Sequence, residues 1–163
     1  MARLLAYGSL MWDNALAAYQ GERVRVQGMR RAFVGESTQR WGSPERPCPQ
    51  IGLVMGDGCE GVLFRIPLGD RRLLFHNLKQ RERRSARAVS VLDARGRGRK
   101  ARSYLPSPDE RLWPENGVVL EALHSARGVV GTGVEYIRTI IHAMELWGIE
   151  DPLIERIWEE VRN

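Results

Sequence analysis

The chain has 163 residues, of which 43% are hydrophobic and 28% are charged, as in an ordinary globular domain with one core. No apolar stretch approaches the roughly 20 residues that a membrane-spanning helix needs. The N-terminal run 1–7 is too short and too soon interrupted by polar residues to be a signal peptide. These features argue against a membrane protein and predict a single domain, 1–163, that stays in the cytoplasm.

The formal net charge is +5, and much of the excess lies in two arginine-rich segments, 71–87 and 95–102. A basic surface favours nucleic acid, an anionic membrane or a small anionic substrate. A solvated helix face and a charged hairpin explain the same arginines without any partner. We favour this second interpretation and expect neither a nucleic-acid partner nor a membrane.

Neither cysteines nor histidines form a pattern that indicates a metal site. Cys48 and Cys59 have the spacing of neither a metal site nor a redox pair, and a reducing compartment would keep both as thiols. The three histidines are far apart in the sequence. Only His142 and Glu145 are placed to share a helix face, where a surface role is the simpler interpretation. We therefore expect no bound metal.

The first part of the chain reads as strands separated by turns. Short apolar or alternating runs, ended by glycine or proline, are typical of half-buried strands. The segment 56–58 contains an Asp-Gly pair, which predicts a hairpin between the strands on either side. The predicted strands are 4–7, 23–27, 31–38, 51–55 and 61–66.

The segment 70–84 is different, because leucines recur at helical spacing among good helix formers. Asp70 is positioned to cap the start of this predicted helix. Glu82 lies four residues after Leu78 and therefore near the same face. Periodicity alone favours Glu82 as a solvated ion-pair partner of a neighbouring arginine, and leaves a functional role open.

The remaining segments predict one hairpin followed by helices. Strands at 88–92 and 100–105 flank the turn 95–98, and helices are predicted at 118–126 and 135–146. Asp151 followed by Pro152 is typical of a helix start, with a capping side chain and a first-turn proline. Because strands come first and helices last, the order predicts an α+β domain rather than a doubly wound sheet.

No common catalytic motif is complete in the sequence. A Gly-x-Ser-x-Gly elbow, a phosphate-binding loop and a dinucleotide fingerprint are all absent. The run Tyr7-Gly8-Ser9-Leu10 places a glycine turn directly after a predicted strand. Such a turn exposes successive backbone N–H groups, which bind a carboxylate or a developing oxyanion. A plain strand-to-turn transition explains these four residues equally well.

A wider pattern resembles the ChaC-like γ-glutamylcyclotransferases. The run Tyr7–Trp12 is similar to the family's N-terminal signature, and 78–82, Leu-Lys-Gln-Arg-Glu, is similar to its Leu-x-x-Arg-Glu motif. Further similarities follow in the same order along nearly the whole chain. They are Gly28–Phe33, Ser37–Glu45, Gly61–Ile66, Tyr104, Gly131–Tyr136 and Leu146–Asp151.

This resemblance implies a small mixed β-barrel with flanking helices and cleavage of a γ-glutamyl amide. The expected substrate is glutathione, and the products are 5-oxoproline and Cys-Gly. The α-amine of the substrate attacks its own γ-carbonyl, so neither a cofactor nor an enzyme nucleophile is expected. The resemblance assigns the general acid/base role to Glu82. It assigns substrate binding to Tyr7, Gly8, Ser9 and Leu10, with Tyr104 as a hydrogen-bond partner.

The sequence also departs from the family pattern. Gln39 replaces the usual histidine, Trp41 is inserted, and Val134 replaces an asparagine. The usual Gly-Gly-Tyr after Arg-Glu is replaced by the segment 83–88, which carries extra arginines. These changes leave the leaving amine open, and the arginines at 83 and 87 suit a leaving group that carries a carboxylate.

Three functions remain open at this point. The first is a cyclotransferase for glutathione, and the second is a cyclotransferase for another γ-glutamyl amine or amide. The third is a non-catalytic binding module with a basic surface. The presence of Glu82 argues against the third, because a binding module has no need of the acid. The oligomeric state and the pathway stay open.

Overall fold

The computed structural model describes all 163 residues, Met1–Asn163. The strands are β1 (Ala2–Ala6), β2 (Gly21–Val26), β3 (Met29–Ser37), β4 (Cys48–Met55), β5 (Cys59–Ile66), β6 (Ser85–Leu92) and β7 (Gly98–Leu105). The α-helices are α1 (Leu68–Glu82), α2 (Gly117–Ser125), α3 (Gly133–Trp147) and α4 (Pro152–Val161), and two short 3₁₀ helices are Ser9–Trp12 and Asn14–Leu16. None of these helices is long and apolar enough to span a membrane.

Five of the strands close into a barrel in the order β1-β5-β2-β6-β7. β1 pairs antiparallel with β5 along its whole length, and a parallel pair between Leu4 and Arg102 closes the barrel against β7. β3 and β4 form a separate two-stranded antiparallel sheet. The predicted α+β fold, a small mixed barrel with flanking helices and a helical last third, is confirmed.

The hairpin predicted between β4 and β5 is wrong. β4 pairs with β3, starting at Met29 opposite Met55, whereas β5 uses one edge for β1 and the other for β2. Because both edges of β5 are occupied, no edge remains for β4. The Asp57-Gly58 turn therefore connects two sheets, and the long-range pairing of β5 overrides the local hairpin signal.

The hairpin predicted at the second arginine-rich segment is confirmed. β6 and β7 pair in one register from Ser85 opposite Leu105 to Leu92 opposite Gly98. Asp93 organises the turn, since its carboxylate accepts the backbone N–H groups of Arg95 and Arg97, each at 2.9 Å.

Of the two helix starts predicted from capping residues, the structure confirms one. Asp151 accepts the backbone N–H groups of Leu153 and Ile154, and Pro152 occupies the first turn of α4, as predicted. The predicted cap at Asp70 is wrong, because α1 begins at Leu68 and no side chain caps it. Asp70 instead lies within the first turn, where its carboxylate accepts the hydroxyl of Tyr19.

One contiguous core of 40 buried residues extends from Leu4 to Val161. It also contains an ion pair, in which Nη1 of the fully buried Arg31 lies 3.0 Å from Oδ2 of Asp151. Arg31 Nε donates to the carbonyl of Tyr7 at 2.8 Å. The start of α4 is thereby tied to the segment that follows β1.

Candidate active site

Tyr7, Gly8, Ser9 and Leu10, which we call the glycine loop, follow directly after β1. The chain turns at Gly8 into a 3₁₀ helix, and the N–H group of Met11 donates to the Gly8 carbonyl at 3.0 Å. The N–H groups of Ser9 and Leu10 are the first of this helix, so they have no acceptor within it. The glycine loop therefore presents donors of the kind that the sequence predicts.

Glu82 is the last residue of α1. Arg83 ends the helix in the left-handed conformation, with φ of 55° and its N–H group bonded to the carbonyl of Lys79. Arg81 directs its guanidinium to Asp13 at 3.0 Å and lies 3.7 Å from the Glu82 carboxylate. Only 22% of the Glu82 side chain is exposed. Glu82 is thus largely buried, and Asp13 is the closer ion-pair partner of Arg81.

A cleft lies between these elements, and its roughly 380 Å³ of empty space is partly open to solvent. It contains every site residue that the sequence predicts, because the glycine loop, Glu82 and Tyr104 all line it. The other lining residues are Gln50, Ile51, Arg84 and Tyr136. The cleft is formed from the glycine loop, β4, the end of α1 with the turn that follows it, β7 and α3, so no single stretch of sequence specifies it.

The hydroxyls of Tyr7 and Tyr104 are held by backbone carbonyls. Tyr7 donates to the carbonyl of Tyr104, and Tyr104 donates to the carbonyl of Phe75 at 3.1 Å. Burial raises the pKa of each of these tyrosines to about 12. Both remain protonated at neutral pH, and the oxygen of Tyr104 remains able to accept a hydrogen bond from a ligand.

Tyr136 is a cleft residue that the sequence pattern did not distinguish from the core. Its position in an apolar stripe of α3 predicts packing, and only 3% of the residue is exposed. Its hydroxyl accepts the N–H group of Ile51 at 2.9 Å and has no acceptor in the protein for its own hydrogen. Burial raises the pKa of Tyr136, so the hydroxyl keeps this hydrogen for a ligand. The signal available in the sequence was a tyrosine within an apolar stripe, because the hydroxyl of a buried tyrosine needs a hydrogen-bond partner.

Arg84 is the second cleft residue that sequence reasoning missed. Its side chain is 7% exposed and pairs with Glu110 at 2.9 Å. It also donates to the carbonyl of Val34 at 2.7 Å, to the carbonyl of Ile51 at 3.2 Å and to the hydroxyl of Tyr7 at 3.5 Å. In the sequence, its place in a run of arginines is typical of a solvated surface and concealed this burial.

The environment of Glu82 shifts its ionisation towards neutral pH. Burial raises the pKa of the carboxyl, and the nearby charge of Asp13 adds to the increase. The guanidinium groups of Arg81, Arg84 and Arg40 offset part of it. A carboxyl with a raised pKa, in a cleft beside donor groups, is typical of an acid/base residue.

A second cavity, with about 920 Å³ of partly open space, adjoins the cleft. The two share Ser9, Gln50 and Glu82, and the larger one is more polar. Its other walls are Trp12, Asp13, Asn14, Arg40, Trp41, Arg81, Val130 and Thr139. Arg81 is neutralised by Asp13, whereas the exposed Arg40 has no carboxylate partner. The second cavity therefore offers one free cation next to Glu82.

Arg83 and Arg87, which the sequence suggests as contacts for a leaving group, line neither cavity. Arg83 is exposed and lies 3.5 Å from the side-chain oxygen of Gln39. Arg87 donates to the carbonyl of Pro106 at 2.6 Å. In the structure, Arg40 is the unpaired arginine that lines the second cavity together with Glu82.

Solved structures with the same fold include a selenomethionine-labelled γ-glutamyl cyclotransferase specific to glutathione from yeast. It matches with a TM-score of 0.89 at 18% identity, over 99% of this chain and 95% of that chain. A further crystal structure of the yeast enzyme gives a TM-score of 0.80 at 17% identity, over 99% and 97%. Another γ-glutamyl cyclotransferase gives a TM-score of 0.54 at 16% identity, over 98% of both chains.

At these identities the structural similarities show the fold. No curated protein matches the sequence significantly. The family model described as ChaC-like protein, by contrast, matches residues 3–163. This match includes the glycine loop, Glu82 and every other residue of the cleft. The chain therefore belongs to the ChaC-like protein family.

Proposed function

We propose that this single domain, 1–163, is a γ-glutamylcyclotransferase that converts glutathione into 5-oxoproline and Cys-Gly. The observation that carries the proposal is the placement of the Glu82 carboxylate in one cleft with the glycine loop. Membership of the ChaC-like family and the fold shared with a glutathione-specific enzyme from yeast support it.

The reaction needs little chemistry from the protein. The α-amine of the γ-glutamyl group attacks the γ-carbonyl of the same group, and a five-membered lactam forms as the amide bond to the leaving amine breaks. Because nucleophile and electrophile belong to one molecule, holding the chain folded supplies much of the rate enhancement. The reaction is balanced without a cofactor or an enzyme nucleophile.

Glu82 has the proton-transfer role in this proposal. Its carboxylate takes a proton from the α-ammonium, which makes the amine nucleophilic, and then gives a proton to the departing amine. The raised pKa of Glu82 suits both steps, because a carboxyl of ordinary acidity is a weak base at neutral pH.

The glycine loop and Tyr136 have the binding role. The γ-carbonyl oxygen becomes negative in the tetrahedral intermediate, and preorganised N–H and O–H donors stabilise such an oxyanion. The N–H groups of Ser9 and Leu10 and the unused hydroxyl hydrogen of Tyr136 are suitable donors in this cleft. Tyr104 can accept a hydrogen bond from the α-ammonium through its hydroxyl oxygen.

The second cavity suits the leaving group. It begins at Glu82, where the departing amine receives its proton, and Arg40 supplies an unpaired cation for the terminal carboxylate of Cys-Gly. We expect Arg40→Gln to raise KM for glutathione about 10-fold with a small change in kcat, as for the loss of one charged hydrogen bond. Steady-state kinetics with glutathione and with its glycine ethyl ester measure this effect.

Arg83→Gln is the matched control, since it removes a neighbouring cation that lines neither cavity. The Arg40 variant should treat glutathione and the ester alike, whereas the Arg83 variant should favour glutathione as the wild type does. An Arg40 variant with unchanged KM would remove this residue from the leaving-group site.

Activity should decrease in acid at a pH above the ordinary glutamate pKa of about 4.3. Because burial raises the pKa of Glu82, its base form is lost as pH falls through that raised value. The same shift means that protonation of Glu82 favours the folded state, so this group does not cause acid unfolding. The measurement is kcat/KM against pH, with circular dichroism at each pH. A midpoint of the acid limb at or below the ordinary glutamate pKa would contradict the assignment of Glu82 as the base.

The direct test of the proposed function is release of 5-oxoproline by the purified protein. Glutathione should be the best substrate among γ-glutamyl amides of different amines. Product from another γ-glutamyl amide, and none from glutathione, would support the proposed reaction but reject glutathione as the substrate. No product from any of them would reject the enzyme and favour a binding module, which a salt-sensitive gel shift with nucleic acid would detect.

A further inference from the structure

Two of the ten residues that line the cleft carry a formal charge, and the charges are opposite. Glu82 contributes a carboxylate, and Arg84, two residues later, contributes a guanidinium. The turn at Arg83, which ends α1, lies between them. The cleft therefore contains one charged side chain of each sign, and the two are close together in the chain.

The contacts of Arg84 divide its guanidinium into two edges. Nε and Nη2 are held by Glu110 and by the carbonyl of Val34, at distances of 2.7 to 3.3 Å, and neither residue lines the cleft. Nη1 contacts Tyr7 at 3.5 Å and Ile51 at 3.2 Å, and both residues line the cleft. Residues outside the cleft therefore hold Nε and Nη2, whereas both contacts of Nη1 are to residues that line the cleft, and the one to the Tyr7 hydroxyl is long.

This inference rests on the proposed function, because it concerns the γ-glutamyl group. That group carries an ammonium and a carboxylate on the same carbon, so its two charges must be bound close together. We propose that Nη1 of Arg84 binds the α-carboxylate of the substrate while Glu82 receives the α-ammonium, so that the cleft selects substrates with a free α-carboxylate. Arg84 is then a specificity-determining residue.

The surroundings of Arg84 support this arrangement. A carboxylate entering the cleft replaces the 3.5 Å contact with Tyr7, which is the longest that the guanidinium makes, and leaves the bonds to Glu110 intact. Charge-assisted hydrogen bonds between guanidinium and carboxylate are stronger than those to neutral groups. Glu110 fixes the guanidinium before substrate arrives, so little conformational freedom is lost on binding.

The test compares two substrates that differ at one group. One is glutathione, and the other is its analogue with the glutamyl α-carboxylate converted to a primary amide, which keeps the α-amine and still cyclises. The wild type should prefer glutathione by about 10-fold to 100-fold in kcat/KM, the range expected for one charged hydrogen bond. Arg84→Gln should lose most of this preference through a lower rate with glutathione. Arg87→Gln, which removes an exposed cation that lines neither cavity, should retain it.

A purely structural role gives a different pattern. Arg84→Gln would then lower both rates equally and keep the preference, which would overturn the inference, as would a wild type with no preference. If Arg84→Gln does not fold, Arg84→Lys is the alternative variant. It keeps the positive charge but lacks the planar guanidinium with its several donors, and it should retain part of the preference.

Failure of the proposed function is distinguishable, because the wild type would then cyclise neither compound. Calorimetric binding of 5-oxoproline and of its carboxamide to the wild type decides the inference in that case. Tighter binding of 5-oxoproline, lost in Arg84→Gln, would support the carboxylate site, and equal binding of the two compounds would overturn it.

Discussion

Glu82→Gln is expected to lower kcat/KM for glutathione by about 10²-fold to 10⁴-fold, the range for loss of a general acid/base. The amide has the same shape as the carboxylate but cannot take a proton from the α-ammonium. It also removes a carboxylate whose burial is unfavourable, as the raised pKa indicates. The folded state should therefore persist. Rates of 5-oxoproline formation and thermal unfolding curves measure the two effects separately.

Glu155→Gln provides the control, because Glu155 is an exposed carboxylate on α4 outside the cleft. It should have the activity of the wild type. Glu82→Asp keeps the acid on a shorter side chain and should retain part of the rate. Full turnover by Glu82→Gln would show that another group moves the proton.

Arg31→Met is expected to destabilise the protein by about 3–5 kcal/mol, the usual cost of removing one partner of a buried ion pair. The Arg31 side chain is fully buried, and its loss leaves the largely buried carboxylate of Asp151 without its cation. The carbonyl of Tyr7 loses a donor as well. Urea unfolding monitored by circular dichroism measures the change in free energy. Because Tyr7 begins the glycine loop, we also expect a lower kcat.

The exposed pair of Arg65 and Glu22, 3.6 Å apart, supplies the control. Arg65→Met should cost less than about 1 kcal/mol, because surface ion pairs contribute little. The double variant of Arg31→Met with Asp151→Asn should recover part of the loss, since asparagine still caps α4 and carries no buried charge. Equal costs for Arg31→Met and Arg65→Met would refute the importance of the buried pair.

The elements that sequence reasoning predicted correctly are those whose signals are local. The start of α4 depends on Asp151 and Pro152, which bond or restrict the backbone within three residues. The β6–β7 hairpin depends on a short turn that Asp93 organises. The β4–β5 hairpin failed because both edges of β5 were occupied by strands distant in sequence, and no local pattern reports such competition.

The candidate site likewise combines residues with a local sequence signal and residues whose position depends on contacts distant in sequence. Motif resemblance indicated the glycine loop and Glu82, which line one cleft in the structure. Periodicity instead favoured a solvated Glu82, because it describes one helix and not what packs against that helix. Arg84 and Tyr136 were missed for opposite reasons. One belongs to a charged run and the other to an apolar stripe, and only the folded structure shows that both line the cleft.

The most direct test of the account is cleavage of glutathione in water labelled with ¹⁸O, followed by mass spectrometry of the products. Intramolecular attack by the α-amine predicts equal amounts of 5-oxoproline and Cys-Gly, with no ¹⁸O in the 5-oxoproline and no glutamate. Glutamate that carries ¹⁸O would show that water is the nucleophile, and would contradict the proposed cyclisation in the cleft of Glu82 and the glycine loop.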